Sequence, residues 1–220
     1  MNYQHYYING NPVPLPIGKV VCVGRNYIEH IHELNQPVPE QPLLFMKPST
    51  ALVALTQPLQ LPRHGQCCHH ELEIAVLIES ILHQSTPEQC QHSIIGYALA
   101  LDLTLRDVQD RLKAKGHPWE LAKSFDKACP ISPFIPAGQI SDPSLMEFKL
   151  TVNGRLRQHG NTQQMMTTIP LLLAYISNYF TLLPGDIVLT GTPAGVGELQ
   201  SHDNLLLELD NRYQFSTTVS

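Results

Sequence analysis

The sequence predicts a β-rich α+β fold, and three observations carry that expectation. Short apolar, often β-branched runs recur along the 220 residues: KVVCV (19–23), PLLFM (42–46), HHELEIAVLIE (69–79), IIGYALALDLTL (94–105), EFKLTV (147–152), DIVLT (186–190) and NLLLELD (204–210). Eighteen prolines and thirteen glycines break the chain between those runs, as turns and long loops require. Only four stretches read as helices, at 27–34, 87–93, 105–115 and 167–180.

Taken in order, each element has a local reason. Asn9-Gly10 and Asn153-Gly154 stand between strand-like segments, and Asn-Gly suits the positive φ angles of a two-residue hairpin. Thr86-Pro87-Glu88 opens the second helix, and Thr168 stands as cap before Ile169-Pro170 in the last. That helix stops before Leu183-Pro184-Gly185-Asp186, a turn that launches the next strand. No repeat, low-complexity tract or linker divides the chain, so one domain over residues 1–220 is expected.

Composition narrows the function. With 43% hydrophobic and 15% charged residues, the chain has the balance of a globular protein. A net charge of -5 without a basic block gives no support to nucleic-acid binding. The apolar run IPLLLAYISNYF is too short to span a bilayer, and the first residues lack the basic and apolar regions of a secretory signal. A soluble, cytoplasmic protein with no membrane partner is the expectation. The odd count of five cysteines, none spaced C-x-x-C, predicts free thiols.

The chemistry starts in HHELEIAVLI (69–78). With the two-residue period of a strand, Leu72, Ile74, Val76 and Ile78 share one face, while Glu71, Glu73, Ala75 and Leu77 share the other. The two carboxylates then project together, about 6.5–7 Å apart along the backbone. The run at 94–105 repeats the design, with Asp102 among the small residues Ala98, Ala100 and Thr104. Three carboxylates on one side of a sheet repel unless a cation neutralises them, and an all-oxygen set suits Mg²⁺ or Mn²⁺. The pattern alone is equally that of strands with one wet face. His69 and His70 suggest zinc, but the H-E-x-x-H order is absent.

Three further groups are candidates. His30 and Glu33 are three apart, so on a helical turn the carboxylate would orient the imidazole as a base. His32 would point to another face. Arg106 and Gln109, just beyond Asp102, could grip a carboxylate or carbonyl, although a solvated amphipathic helix reads the same way. Lys123, between Trp119 and Phe125, could steady an oxyanion. The loop GTPAGVG (191–197) is neither a Walker A loop nor G-x-G-x-x-G, and would present Thr192 and backbone N–H groups to a small anion.

As an ordered set these pieces resemble the fumarylacetoacetate hydrolase family over nearly the whole length. The set comprises Gly24-Arg25-Asn26-Tyr27-x-x-His30-x-x-Glu33, Phe45-Met46-Lys47-Pro48, His70-Glu71-x-Glu73 and Gly96-Tyr97 leading to Asp102, Arg106, Asp107 and Gln109. Lys123-x-Phe125-Asp126, Val152-Asn153-Gly154 and Leu183-Pro184-Gly185-Asp186 through Gly197 complete it. The short chain is similar to the small acylpyruvase branch. The resemblance implies a mixed β-sandwich or β-roll, a homodimer, and one Mg²⁺ or Mn²⁺ per subunit held by Glu71, Glu73 and Asp102. It also implies a small 2-oxo acid substrate. His30 and Glu33 would activate water, Lys123 and Gln109 would stabilise the oxyanion, and Arg25, Lys47, Arg106 and Thr192 would contact the anion. Hydrolysis of acylpyruvates is the leading expectation, with decarboxylation or keto–enol tautomerisation of oxaloacetate and turnover of aromatic-degradation intermediates as alternatives. A metal-dependent sensor of keto acids would need no base such as His30. Cys129-Pro130-Ile131-Ser132-Pro133 departs from the family, where glycine often precedes the second proline, and is expected to alter a loop only.

Overall fold

The computed structural model describes residues 3–62, 65 and 67–220. A mixed, curled sheet forms its centre, in the order Leu43–Lys47, Val20–Gly24, Ile187–Leu189, Leu72–Ile78, Ile94–Leu101, Cys129–Ile131 and Leu52–Ala54. Val20–Gly24 runs parallel to Ile187–Leu189, and Leu52–Ala54 parallel to Cys129–Ile131; the other neighbours along that order are antiparallel. A second, antiparallel sheet is ordered Arg155–Asn161, Glu147–Val152, Asn204–Leu209 and Tyr213–Thr218. Helices are few and short, so the class is the expected β-rich α+β.

Burial explains why the central strands are so apolar. Leu72, Ile74, Val76, Leu99 and Leu101 belong to a cluster that continues into Phe148, Leu150 and Leu207 of the four-stranded sheet. Ala75, Leu77, Ala98 and Ala100 on the opposite face join a second cluster with Val20, Cys22 and Phe134. A wet face is therefore absent from these strands; Ala75 and Leu77 are as inaccessible as Leu72. Each large aliphatic side chain fully buried this way contributes about 1.5–3 kcal/mol.

The two acid-bearing runs are each shorter than expected, and the reason matters for the site. The run at 69–79 divides into Cys68–His70 and Leu72–Ile78, with Glu71 at the break. The run at 94–105 divides into Ile94–Leu101 and Thr104–Leu105, with Asp102 at its break. Up to the break the two strands pair within the large sheet, ending on Leu72 opposite Leu101. Beyond it they pair again in a small sheet with Gly197–Glu198. At the seam the Asp102 N–H donates to the Glu71 carbonyl at 2.8 Å.

Of the two expected hairpins, Asn153-Gly154 is realised, with both residues at positive φ and Val152 opposite Arg155. At Asn9-Gly10 a looser turn joins the isolated bridge Tyr6 to Pro12, because Pro12 and Pro14 have no N–H to extend a ladder. Thr86 caps Pro87–His92 reciprocally with Gln89, whereas Thr168 holds the cap position of Ile169–Tyr179 without a side-chain bond. The helix Glu120–Lys123 and the strands Cys129–Ile131 and Tyr213–Thr218 are not anticipated by the sequence pattern.

His5 ties the N-terminal arm to the large sheet. It is fully buried, edge-on to Phe134, and its Nε2–H donates to the Gly185 carbonyl at 3.3 Å. Burial holds its pKa below the ordinary value of 6.5. The unfolded chain therefore binds a proton near pH 6.5 where the folded one does not. Stability linked to His5 is complete above that value and is lost as pH falls through it toward the lowered folded value. The stability advantage of wild type over His5→Gln, read from urea unfolding, is expected to shrink between pH 7.5 and 5.5. A gap that stays constant or widens would contradict this.

Candidate active site

The seam between the sheets places the three carboxylates together. One oxygen from each of Glu71, Glu73 and Asp102 lies within 4.8 Å of the others, and all three residues are buried. Glu71 and Asp102 come from facing strand ends, and Glu73 from two residues along the same face. The cleft they line is shared with Arg25, His30, Arg106, Gln109, Lys123 and Thr192. Every expected site residue thus borders it except Glu33 and Lys47.

Much of the repulsion predicted among the acids is answered by the protein's own cations. Lys123 donates to Glu71 Oε2 at 2.8 Å, Asp102 Oδ2 at 2.6 Å and Thr104 Oγ1 at 2.6 Å. Arg106 pairs with Glu71 Oε1. Lys47 lies 2.7 Å from Asp102 Oδ1 and donates to the carbonyl of Lys123. Its side chain is fully buried, so it braces Asp102 from behind instead of facing the cleft as an anion contact.

The electrostatic consequences differ between the acids. Burial opposes ionisation of Glu71, but the charges of Lys123 and Arg106 outweigh it and hold its carboxyl well below the usual range. Glu73 has no cation partner among the described residues; its Oε2 accepts only from the Gly191 N–H, at 2.6 Å. Burial and the charges of Asp102 and Glu71 push its pKa well up. For Lys123, burial is outweighed by Asp102 and Glu71, so the ammonium is stabilised.

A divalent cation fits this donor set. The contact of Asp102 Oδ1 with Lys47 is ionic, lacking hydrogen-bond geometry, so a buried oxygen retains an unused lone pair. Glu73 has no cation of its own, and a bound cation would favour its ionised form. Oxygen-only donors of this kind suit Mg²⁺ or Mn²⁺.

His30, the base expected from the sequence, sits on the short helix Ile28–Glu33. His30 Nδ1 donates to Glu33 Oε2 at 3.1 Å, and Glu33 Oε1 accepts from the Gly195 N–H at 2.9 Å. One carboxylate thus orients the imidazole and fastens the helix to the 191–197 loop. Gly195 has φ +98, and a Cβ there would meet the Arg157 carbonyl oxygen at 1.9 Å, so only glycine fits. Arg25, at φ 62, borders the cleft and donates to Gln36 Oε1 at 2.8 Å. His32 is exposed.

Arg106 and Gln109 do share a helical face, on Arg106–Ala114, but they grip each other. Arg106 Nη1 donates to Gln109 Oε1 at 2.6 Å, and Lys113 Nζ donates to the same oxygen at 3.1 Å. Two cations on Oε1 fix the amide orientation and leave Gln109 Nε2 as a donor at the cleft.

Lys113 also reaches the cleft, and the spacing 106, 109, 113 is the signal that places it on the same helical stripe. It lies 5.2 Å from the Trp119 ring centroid, and burial with the Arg106 charge lowers its pKa to about 8. Phe45, which the sequence marks only as part of Phe45-Met46-Lys47-Pro48, has its ring centroid 5.1 Å from Lys123 Nζ.

Residues 19–219 match the family model described as the fumarylacetoacetate (FAA) hydrolase C-terminal domain. The chain belongs to the fumarylacetoacetate hydrolase family. It is 52% identical over 209 residues to oxaloacetate tautomerase YcgM of Escherichia coli, covering 94% of this chain and 95% of that one. It is 46% identical over 187 residues to the human mitochondrial oxaloacetate tautomerase FAHD1, covering 84% of each. A solved fumarylpyruvate hydrolase from Pseudomonas aeruginosa, in complex with Mn²⁺ and pyruvate, superposes with a TM-score of 0.93 at 34% identity, covering 99% of this chain and 95% of that one. Membership in this enzyme family agrees with the mixed curled sheet and the acidic cluster. Among the described residues, no helix is long and apolar enough to cross a membrane.

Removing Lys47 tests the bracing role. Lys47→Met leaves Asp102 with a less compensated buried charge, and a destabilisation of about 3 kcal/mol is expected in urea unfolding. A loss below about 0.5 kcal/mol would show that Lys47 is not needed there.

Proposed function

We propose that the chain is a metal-dependent enzyme of small 2-oxo acids whose main reaction is the keto–enol tautomerisation of oxaloacetate. The observation that carries this reading is the meeting, in one cleft, of three buried carboxylates and an oriented imidazole. The identity to two oxaloacetate tautomerases supports the choice of substrate. Acylpyruvate hydrolysis, the leading expectation from the sequence, becomes the second reading. Its support is the likeness to the fumarylpyruvate hydrolase.

Glu71, Glu73 and Asp102 would hold one Mg²⁺ or Mn²⁺, which supplies Lewis acidity to an enolate oxygen. His30, with Nδ1 committed to Glu33, has Nε2 free to take a proton from the carbon beside the keto group. The electron pair moves onto the keto oxygen, where Gln109 Nε2–H donates to it and the Lys123 ammonium, its three N–H groups engaged by Glu71, Asp102 and Thr104, acts through its charge alone. The proton held on His30 Nε2, returned to that oxygen directly or through water, gives the enol and restores the neutral imidazole, and the reverse sequence returns the keto form. In the hydrolytic reading the same imidazole takes its proton from water. Arg25, Arg106 and the backbone N–H groups of the 191–197 loop are the positive and polar wall for substrate carboxylates. The core shared by both sheets supports a single catalytic domain, and a homodimer in the cytoplasm completes the proposal.

Loss of enol-oxaloacetate, followed by ultraviolet absorbance, tests the reading beside acetylpyruvate cleavage. Tautomerisation is expected to be the faster reaction, to stop in EDTA and to return with Mg²⁺ or Mn²⁺. Turnover indifferent to EDTA would overturn the metal assignment, and faster acetylpyruvate cleavage would favour the second reading. Glu33→Gln is expected to lower kcat roughly 100-fold while Mn²⁺ affinity changes less than about threefold. A variant that lost metal yet kept its turnover would contradict the roles given to Glu33 and the triad.

A further inference from the structure

Gln158 lies on Arg155–Asn161 of the four-stranded sheet, outside the cleft, and is fully buried. Its amide nevertheless reaches the site. Oε1 accepts from the Leu72 N–H at 2.9 Å, and Nε2 donates to the Pro193 carbonyl at 2.9 Å. A backbone N–H can only donate and a carbonyl can only accept, so these two bonds leave one orientation for the amide. The orientation propagates outward. His70 Nδ1, 2.9 Å from Oε1, must carry the proton. Thr192 Oγ1, 2.8 Å from Nε2, must accept.

Thr192 is thereby left with a defined polarity. Its own proton goes to the Leu72 carbonyl at 2.8 Å, and one lone pair is taken by Gln158. A hydroxyl has one proton and two lone pairs, so a single acceptor position remains. Thr192 borders the cleft. A hydroxyl in this state repels a carboxylate oxygen and matches an O–H donor.

We propose that Gln158 is a positioning residue that makes the Thr192 hydroxyl an acceptor at the cleft, so that the site selects a substrate hydroxyl there. Resting on the 2-oxo acid reading, this makes the enol of the substrate, with its O–H at the 2-position, the form that Thr192 recognises. The keto form, which offers only acceptors at that oxygen, gains nothing from it. Anion contact from this loop then falls to its backbone and not to the Thr192 side chain.

The test compares two dianions on the Mn²⁺-loaded protein by calorimetry: tartronate, which carries a hydroxyl, and oxalate, which carries none. Thr192→Val is expected to weaken tartronate about tenfold and oxalate less than about twofold, while Thr192→Ser keeps both near wild type. Gln158→Met frees the Thr192 hydroxyl to turn, and the tartronate preference is expected to fall in the same direction. Equal weakening of both ligands by Thr192→Val would overturn the inference, as would an unchanged preference in folded Gln158→Met. If Gln158→Met fails to fold, the Thr192 pair still decides. Binding of oxalate without any hydroxyl preference would leave the functional reading standing and remove only this inference. Binding of neither ligand to wild type would overturn both.

Discussion

The structure turns on a buried ion cluster at the point where two strands leave one sheet for another. Glu71 and Asp102 stand opposite each other there, joined through the backbone and compensated by Lys123, Arg106 and Lys47. Isolated carboxylates in so dry a place would take up protons instead of ionising. The cations keep Glu71 charged, and the geometry leaves Glu73 and one oxygen of Asp102 under-compensated. The cations thus hold the acids together without occupying every donor position, and Glu73 and Asp102 Oδ1 remain for a divalent ion. Surrounding apolar layers on both sides of the large sheet hold the acids at these positions.

The second sheet takes part in the chemistry through polar side chains and backbone, while its apolar face only completes the core. Arg155–Asn161 supplies Gln158 to the acid strand and to Thr192, and its Arg157 carbonyl excludes any side chain at position 195. That exclusion lets the Gly195 N–H meet Glu33 and fasten the helix that carries His30. His30, the 191–197 loop and the acid strand are therefore positioned from one direction. A change in the four-stranded sheet can reach the site without touching the cleft.

Much of this was legible in the residues. The alternation in HHELEIAVLI put Glu71 and Glu73 on one side, and the three-residue spacing put His30 beside Glu33; both placements hold. Periodicity could not show that the strands break at the acids, because the apolar pattern runs on through Leu103 and Leu105 while the pairing partner changes. Nor could it show that Lys47 faces inward, since a lysine at the end of PLLFMK reads as an exposed strand end. Gln158 was invisible for another reason. Its neighbours Arg155, Leu156, Arg157 and His159 are exposed, so nothing local marks it as buried; the long-range contacts with His70, Leu72, Thr192 and Pro193 do.

Metal binding itself is the most direct test of the account. Equilibrium dialysis of the chain against Mn²⁺ should give one ion per chain. Replacing Glu73, the acid with no cation of its own, by Gln should weaken that binding at least about tenfold while the fold is retained. A chain that takes up no Mn²⁺, or one whose binding is indifferent to Glu73→Gln, would contradict it.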